Sequence, residues 1–432
     1  MKTLTKRLLF ASIAIALVVP AAAHATNGYF LPGYGSKATG MGGAGVAYAQ
    51  DSISAAANPA GIVDVGMRAD LGVGLFNPER SSAVGRSAGG TSNFGFNQSA
   101  ESANRYYLMP SAGYTMPWSE QLSFGVALVG NGGMNTTYKP NFFKFGTFGS
   151  ETLGVDLMQM LVPITAAYKV DEQNALGVSL VLGAQRFAAR GLQAFGVFGI
   201  SSDPANLTNR GHDYAGGAGL RLGWRGKFMD DRITLGATYA SKVYMSKFDK
   251  YRGLFAESGS FDVPANYAVG IAIKATPATT IAFDIQRILY ADVPAVANRG
   301  PSSSVPAFNP PTNNPYLLGL DNGMGFGWTN QTVYKLGVDY KYNKAWTFRA
   351  GYNYGKSPIP DDQLTFNTLA PATVEHHYTA GLTYGLSPDS ELTLAYLHAT
   401  SNEQKSCGLA IVTCAKFKMH QNQLDLSYAW KF

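Results

Sequence analysis

Gly40, Gly42 and Gly45 stand in a G-x-G-x-x-G spacing, with Asp64 further along. That spacing cradles a dinucleotide pyrophosphate only where a buried strand precedes it and a helix follows. Here Pro32, Gly33 and Gly35 precede it, and the glycines read instead as small residues for close packing. His376 and His377 are neighbours; on a strand they point to opposite faces and cannot share a metal ion. Glu375 lies with His377 by the same parity, where an ordinary hydrogen-bond network is favoured over an ion site. None of the six His has a Ser or Asp neighbour in a triad pattern, although triads are spatial and local spacing does not decide them. The chain is expected to be no enzyme and to carry neither cofactor nor metal. Cys407 and Cys414, the two cysteines, form an even pair with six residues between them. In an exported chain such a pair is expected to be a disulfide closing a small loop.

Export is what the first residues predict. Lys2, Lys6 and Arg7 precede the apolar run Leu8 to Pro20, and Ala23-His24-Ala25 resembles a cleavage site. Residues 1–25 are therefore read as a signal peptide, with Thr26 as the mature N-terminus. The apolar run is shorter than the ~18–20 residues of a helical span. The formal charge of +6 is small and its cations are scattered, which excludes nucleic acid as a partner. A composition of 49 Gly, 24 Tyr, 24 Phe and only 14% charged residues fits a secreted multi-domain β-sandwich or a transmembrane β-barrel.

Periodicity separates the two. From residue 66 onward the chain breaks into fourteen stretches of alternating hydrophobicity, at about 66–77, 104–116, 121–131, 155–169, 174–188, 212–225, 232–247, 260–275, 279–292, 328–343, 345–355, 373–386, 390–400 and 419–432. Tight polar turns such as Asp171-Glu172-Gln173 and Ser387-Pro388-Asp389 alternate with long connections near 78–103, 132–154, 189–211, 248–259, 293–327, 356–372 and 401–418. An outer-membrane barrel sorts short turns to the periplasm and long loops to the outside; a sandwich has no reason to. In the last stretch Leu424, Leu426, Tyr428, Trp430 and Phe432 alternate with Gln423, Asp425, Ser427 and Lys431, one apolar face and one mostly polar. The expected fold is an all-β, antiparallel, 14-stranded barrel over 66–432, spanning the cell outer membrane, with Phe432 as the signal read by barrel-assembly machinery. Residues 26–65 are rich in Gly and Ala and hold no barrel-length strand; they are expected to form a hatch inside the lumen.

The hatch segment carries a resemblance. Gly40-Met41-Gly42-Gly43-Ala44-Gly45-Val46-Ala47, Asp51 and Asn58-Pro59-Ala60-Gly61 resemble the family of outer-membrane long-chain fatty acid and hydrocarbon transporters, and the likeness extends over the whole mature chain. The family implies a channel in which outer loops capture hydrophobic ligands, which pass a pocket beside the hatch and in some members leave sideways through the wall; the chain is expected to be a monomer. The stretch Asn27 to Tyr34 differs from the opening of the best-known fatty acid members. Long-chain fatty acids are the first expected cargo, with aromatic or aliphatic hydrocarbons as the alternative and a general porin a more distant one.

Residue types support an apolar cargo. Leu192, Phe195, Phe198, Leu254 and Phe255 lie in outer loops, where apolar clusters call for a reason; they are the candidate ligand groove. Among lumen-facing charges, Lys335 and Arg349 are the candidate contacts for a carboxylate headgroup. Asn58, Pro59 and Ala60 are expected to fix the hatch. Outer-membrane lipid and lipopolysaccharide, a hydrophobic small molecule and the assembly machinery are the expected partners.

Overall fold

A computed structural model of the chain describes residues 27–85, 97–302, 305, 314–409 and 411–432. The expected signal peptide and its cleavage site lie outside these residues.

Fourteen strands form the wall: β1 Arg68–Gly85, β2 Tyr107–Pro117, β3 Leu122–Asn135, β4 Gly154–Lys169, β5 Asn174–Arg190, β6 Asp213–Phe228, β7 Ile233–Ala240, β8 Asn266–Thr276, β9 Thr279–Ile288, β10 Gln331–Lys341, β11 Trp346–Gly355, β12 His376–Ser387, β13 Ser390–Cys407 and β14 Cys414–Lys431. Each pairs antiparallel with the next in sequence, and β1 pairs with β14 from Arg68↔Lys431 to Gly85↔Cys414, closing the sheet. Closure leaves no free edge strand, so the backbone groups of the spanning region bond within the wall except where β2 and β3 part. The strands form because residues of alternating polarity suit a wall that faces lipid outside and hatch inside. On β14, Leu424, Leu426 and Trp430 are exposed on the outer face while Gln423 and Asp425 are buried facing in. No helix among the described residues is long and apolar enough to cross a membrane; the crossing is made by strands.

The structure departs from the sequence reading in the outer half of the wall. Strands β1, β13 and β14 run several residues further than expected, so 401–418 is a hairpin rather than a long loop. Apolar-out, polar-in alternation marks only the part of a strand that touches lipid; above it the sense reverses on β14, with Ala415, Phe417 and Met419 buried facing in and Lys418 exposed, while the backbone ladder continues. A register shift between Ala399 and Asn402 marks the change on β13. β7 ends at Ala240, earlier than expected, because Ser241 turns its hydroxyl onto the backbone N–H of Leu220 (2.9 Å). β8 starts late, after Pro264, which has no N–H to give the ladder.

Residues 27–65 run inside the ring. They form a helical turn, Ser36–Thr39, and two 3-10 turns, Ser52–Ala56 and Pro59–Asp64. Asp51 caps the first 3-10 turn, accepting from the N–H groups of Ile53 (3.1 Å) and Ser54 (3.0 Å), and Ser54 reciprocates, a capping box. Asn58 caps the second, with Pro59 at its first position. The glycine row packs on the wall. Gly42 has φ +67, and a side chain there would strike the backbone of Tyr352 and Leu336. Its N–H donates to Thr379 Oγ1 (2.8 Å). The N–H groups of Gly45 and Val46 both donate to Asp284 Oδ2, at 2.7 and 3.0 Å. The G-x-G-x-x-G spacing therefore serves hatch-to-wall contact.

Candidate functional site

The loops above the wall line an apolar pocket, about 500 Å³ of space that includes its opening to solvent. Phe187 and Val155 reach it from the wall, Leu192 and Phe195 from loop 191–212, Leu254 and Phe255 from loop 241–265, and Met324 and Phe326 from the loop before β10. Every lining residue is apolar or Gly. Four of the five candidate groove residues thus meet, but in a covered chamber, with Leu192, Phe195 and Phe255 buried. Phe198 lies apart: it is 43% exposed and stacks edge-on to Phe145, with ring centroids 5.1 Å apart. Periodicity reading places such residues in a loop; only the tertiary fold tells a roof from a groove.

An aromatic cluster adjoins this chamber. Tyr29 packs on Tyr290 (5.2 Å between ring centroids), Trp328 (5.7 Å) and Phe261 (6.1 Å), and Phe326 on Trp328 (6.3 Å). The Tyr290 hydroxyl accepts from the N–H of Tyr29 (3.1 Å) and donates to the carbonyl of Asn27. Burial holds the Tyr290 phenol well above its ordinary pKa, so it stays a donor. Trp328 Nε1 donates to Asn367 Oδ1 (2.6 Å), which satisfies its buried polar edge. The start of the hatch is thereby fixed next to the apolar chamber.

Beyond Tyr29 the wall parts. β2 and β3 pair only up to Ser111↔Val129. Above that pair β3 is irregular, with a register shift against β4 between Gly130 and Gly132. Asn131 is buried there: its carbonyl accepts from Leu31 N–H (3.1 Å) and its side chain from the Tyr34 hydroxyl (2.7 Å). A second cavity of about 340 Å³ lies at this parting, lined by Leu31, Tyr34, Val73, Met109, Pro110 and Gly130 among others. The sequence carries the signal for this parting: Gly130-Asn131-Gly132-Gly133 interrupts the alternation, and Pro110 has no N–H for β3.

The cations proposed for a headgroup are engaged by the hatch. Lys335 Nζ donates to the carbonyl of Pro32 (2.7 Å). Arg349 donates to Gln50 Oε1 (2.9 Å) and Thr383 Oγ1 (2.7 Å), and its Nε lies 2.9 Å from Asp339. Neither lines the apolar chamber. A third cavity, of about 420 Å³, does hold Lys335 and Arg221 between hatch and wall. Lower in the barrel Glu391 binds Lys37 of the hatch, Arg68 (2.8 Å) and Lys431 (2.7 Å), and Arg68 binds Asp70 (2.6 Å). Burial pushes the Lys37 ammonium below its usual pKa and Arg68 pushes the same way, while Glu391 opposes them. His377 is buried with Nδ1 3.4 Å from the carbonyl of Asn353, and Glu375 accepts from Ser357 N–H (2.9 Å). Among the described residues no three His, Cys, Asp or Glu are grouped to hold a metal. Cys407 and Cys414 are joined by a disulfide across the outer end of β13 and β14. Phe432 is exposed, its N–H donating to Met67 (3.0 Å).

A closed barrel of fourteen antiparallel strands filled by an N-terminal segment, with an apolar chamber beneath its outer loops, defines an outer-membrane channel. Residues 13–419 match the outer membrane protein transport protein family (OMPP1/FadL/TodX), and the chain belongs to that family of outer-membrane transporters of hydrophobic substrates. It is 21% identical over 336 residues to a long-chain fatty acid transport protein of Escherichia coli O6:H1, covering 67% of this chain and 69% of that one. The fold matches the Pseudomonas putida toluene transporter TodX with a TM-score of 0.67 at 21% identity, over 94% of this chain and all of the other. It also matches a Pseudomonas aeruginosa FadL homologue with a TM-score of 0.69 at 16% identity, with the same coverage.

Proposed function

We propose that the chain is a passive channel for neutral hydrophobic molecules, aromatic or aliphatic hydrocarbons in class. They collect in the outer apolar chamber, pass the cluster of Tyr29, Tyr290 and Trp328 when the hatch N-terminus shifts, and leave sideways where β2 and β3 part. One observation carries the choice of cargo: the chamber lining is apolar throughout. A carboxylate there would be buried without a partner, which costs several kcal/mol or forces its protonation. Lys335 and Arg349, first candidates for a headgroup, hold the hatch instead.

A fatty acid remains the second reading, supported by Arg221 and Lys335 beside the third cavity and by the fatty acid transport relative. Uptake of labelled toluene and labelled oleate by cells expressing the protein, in a host without its own channel of this family, separates the two. The first reading expects toluene uptake to rise well above the empty-vector level and oleate uptake to stay near it. The opposite ratio transfers the assignment to fatty acids.

A further inference from the structure

One buried carboxylate stands at the parting of the wall, and no cation stands beside it. Asp425 lies on β14 between Leu424 and Leu426, which are exposed on the lipid face, so its own side chain points inward at the depth of the hydrocarbon. Only 6% of its surface is exposed. Its two oxygens accept from Gln423 Nε2, at 2.8 and 2.9 Å.

The ladder sets its direction. Asp425 stands opposite Gly74 on β1, and Gly74 stands opposite Met109 on β2. A side chain at Gly74 would strike both Asp425 Oδ1 and the Met109 methyl. The glycine therefore lets the carboxylate lean across β1 toward β2, the strand that parts from β3. The pocket at this parting is lined by Thr39 of the hatch, Met109 and Asp425, all buried, and by Val73, exposed on the outer face. It joins the hatch side of the wall to the lipid side, and Asp425 is the charge in its lining.

Other buried carboxylates of the lumen are matched. Glu391 is paired with Lys37, Arg68 and Lys431, Asp70 with Arg68, and Asp339 with Arg349. Asp284 faces Lys335 across the ladder. Asp425 makes no ion pair among the described residues, and the pocket lining includes no Lys, Arg or His. Arg221 and Lys335 line a different pocket. A buried carboxylate without a counter-charge is costly to keep, and protein and lipid screen its field poorly. Neutral cargo passes such a group at little cost. A cargo carboxylate meets a like charge in a passage of low dielectric.

We infer that Asp425 sets the charge specificity of the exit: it turns back anionic amphiphiles and passes neutral ones, long-chain alcohols as well as hydrocarbons. The inference rests on the sideways exit proposed above and narrows its cargo. The apolar chamber disfavours charge of either sign, whereas Asp425 acts against negative charge alone, a repulsive element of specificity. Fatty acid anions are stopped at the parting even where the chamber admits their chains.

The test compares labelled oleate with labelled oleyl alcohol, which share a chain and differ in the head group. Entry is measured in cells expressing wild type, D425N or D425E, in a host without its own channel of this family. Heat-modifiable gel mobility matches the levels of inserted barrel. Wild type is expected to admit the alcohol and exclude oleate. D425N should raise the ratio of oleate to alcohol entry at least about tenfold, and D425E, which keeps the charge, should hold it low. Where D425N does not insert, M109K replaces it: an ammonium beside the carboxylate must raise the ratio likewise. A ratio unchanged by neutralisation, or raised as much in D425E, overturns the role of the charge. A wild type that admits oleate and alcohol alike, or neither, overturns it too. Toluene entry in the same cells separates the two levels of the account. An unchanged ratio with toluene entry intact removes the role of Asp425 alone, whereas a wild type that admits no toluene removes the channel reading and this inference with it.

Discussion

The side-chain amide of Asn58 donates to the backbone carbonyl of Trp224 on β6 at 2.9 Å, and to that of Val46 within the hatch at 2.8 Å. Its oxygen meanwhile accepts from the N–H of Ala60 (3.1 Å). One buried side chain thus shapes the hatch turn, joins two parts of the hatch and ties both to the wall. Gly223 lets the turn come this close, because a side chain there would collide with Asn58 and Pro59.

Replacing Asn58 with Ala removes all three bonds and takes their partner from the buried Val46 carbonyl and Ala60 N–H, at about 1–3 kcal/mol of hatch stability. Uptake of a hydrophobic probe is expected to change, with the barrel still folded and inserted by gel mobility. Leakage of a small polar antibiotic, with hydrophobic uptake unchanged, would show the turn to be a plain stopper.

Glu391→Gln leaves the Lys37 and Arg68 cations buried with a weakened counter-charge, the kind of change that costs about 3–5 kcal/mol when a buried pair is broken. Hydrogen exchange should rise across residues 36–52 and stay at the wild-type level in β5 and β6. Unchanged protection of the hatch would mean that the packing of Met41 and Gly42 on the wall holds it without this cluster.

The barrel was legible in the sequence because strand parity is written residue by residue, and Leu424 to Trp430 exposes the rule without tertiary knowledge. That residues 27–65 join no wall strand was legible for the opposite reason: Gly40 to Ala47 has no parity and little bulk. The chamber was only half legible. Phe195 and Phe255 announce themselves as apolar loop residues, but whether they face out or in depends on how separate loops meet. Lys335 and Arg349 were placed in the lumen by parity, while their partners, Pro32 and Gln50, could be found only in three dimensions. The wall parting at Pro110 and Gly130 was written plainly in two residue types that strands avoid.

Replacing Cys407 and Cys414 with Ser should act locally. The loop between them is short, so the disulfide stabilises by at most about 2–3 kcal/mol, and the lower wall does not depend on it. Proteolysis within 401–418 should quicken while uptake stays near wild type. Free thiols labelled in unreduced, denatured wild-type protein would remove the premise.

Export and assembly have separate tests. Mass spectrometry of envelope-purified protein should find Thr26 at the N-terminus, whereas a mature species retaining Met1 to Ala25 would refute the signal-peptide reading. Deleting Phe432 should lower the folded yield in outer membranes several-fold. Folded yield equal to wild type would remove the assembly role from that residue.

The central claim is that hydrophobic cargo passes through the outer apolar chamber. Phe366 lies in its lining against Phe195, with ring centroids 5.7 Å apart. Phe366→Arg puts a charge where an apolar ligand must rest, and the ligand loses more than 1.4 kcal/mol of binding, or about tenfold. The decisive measurement is the rate of labelled toluene entry into cells expressing wild type or Phe366→Arg at matched levels of folded, inserted barrel. Entry supported by wild type and reduced about tenfold by the variant is the predicted result. Equal rates for the two, or a wild type that admits sugars as readily as toluene, would contradict it.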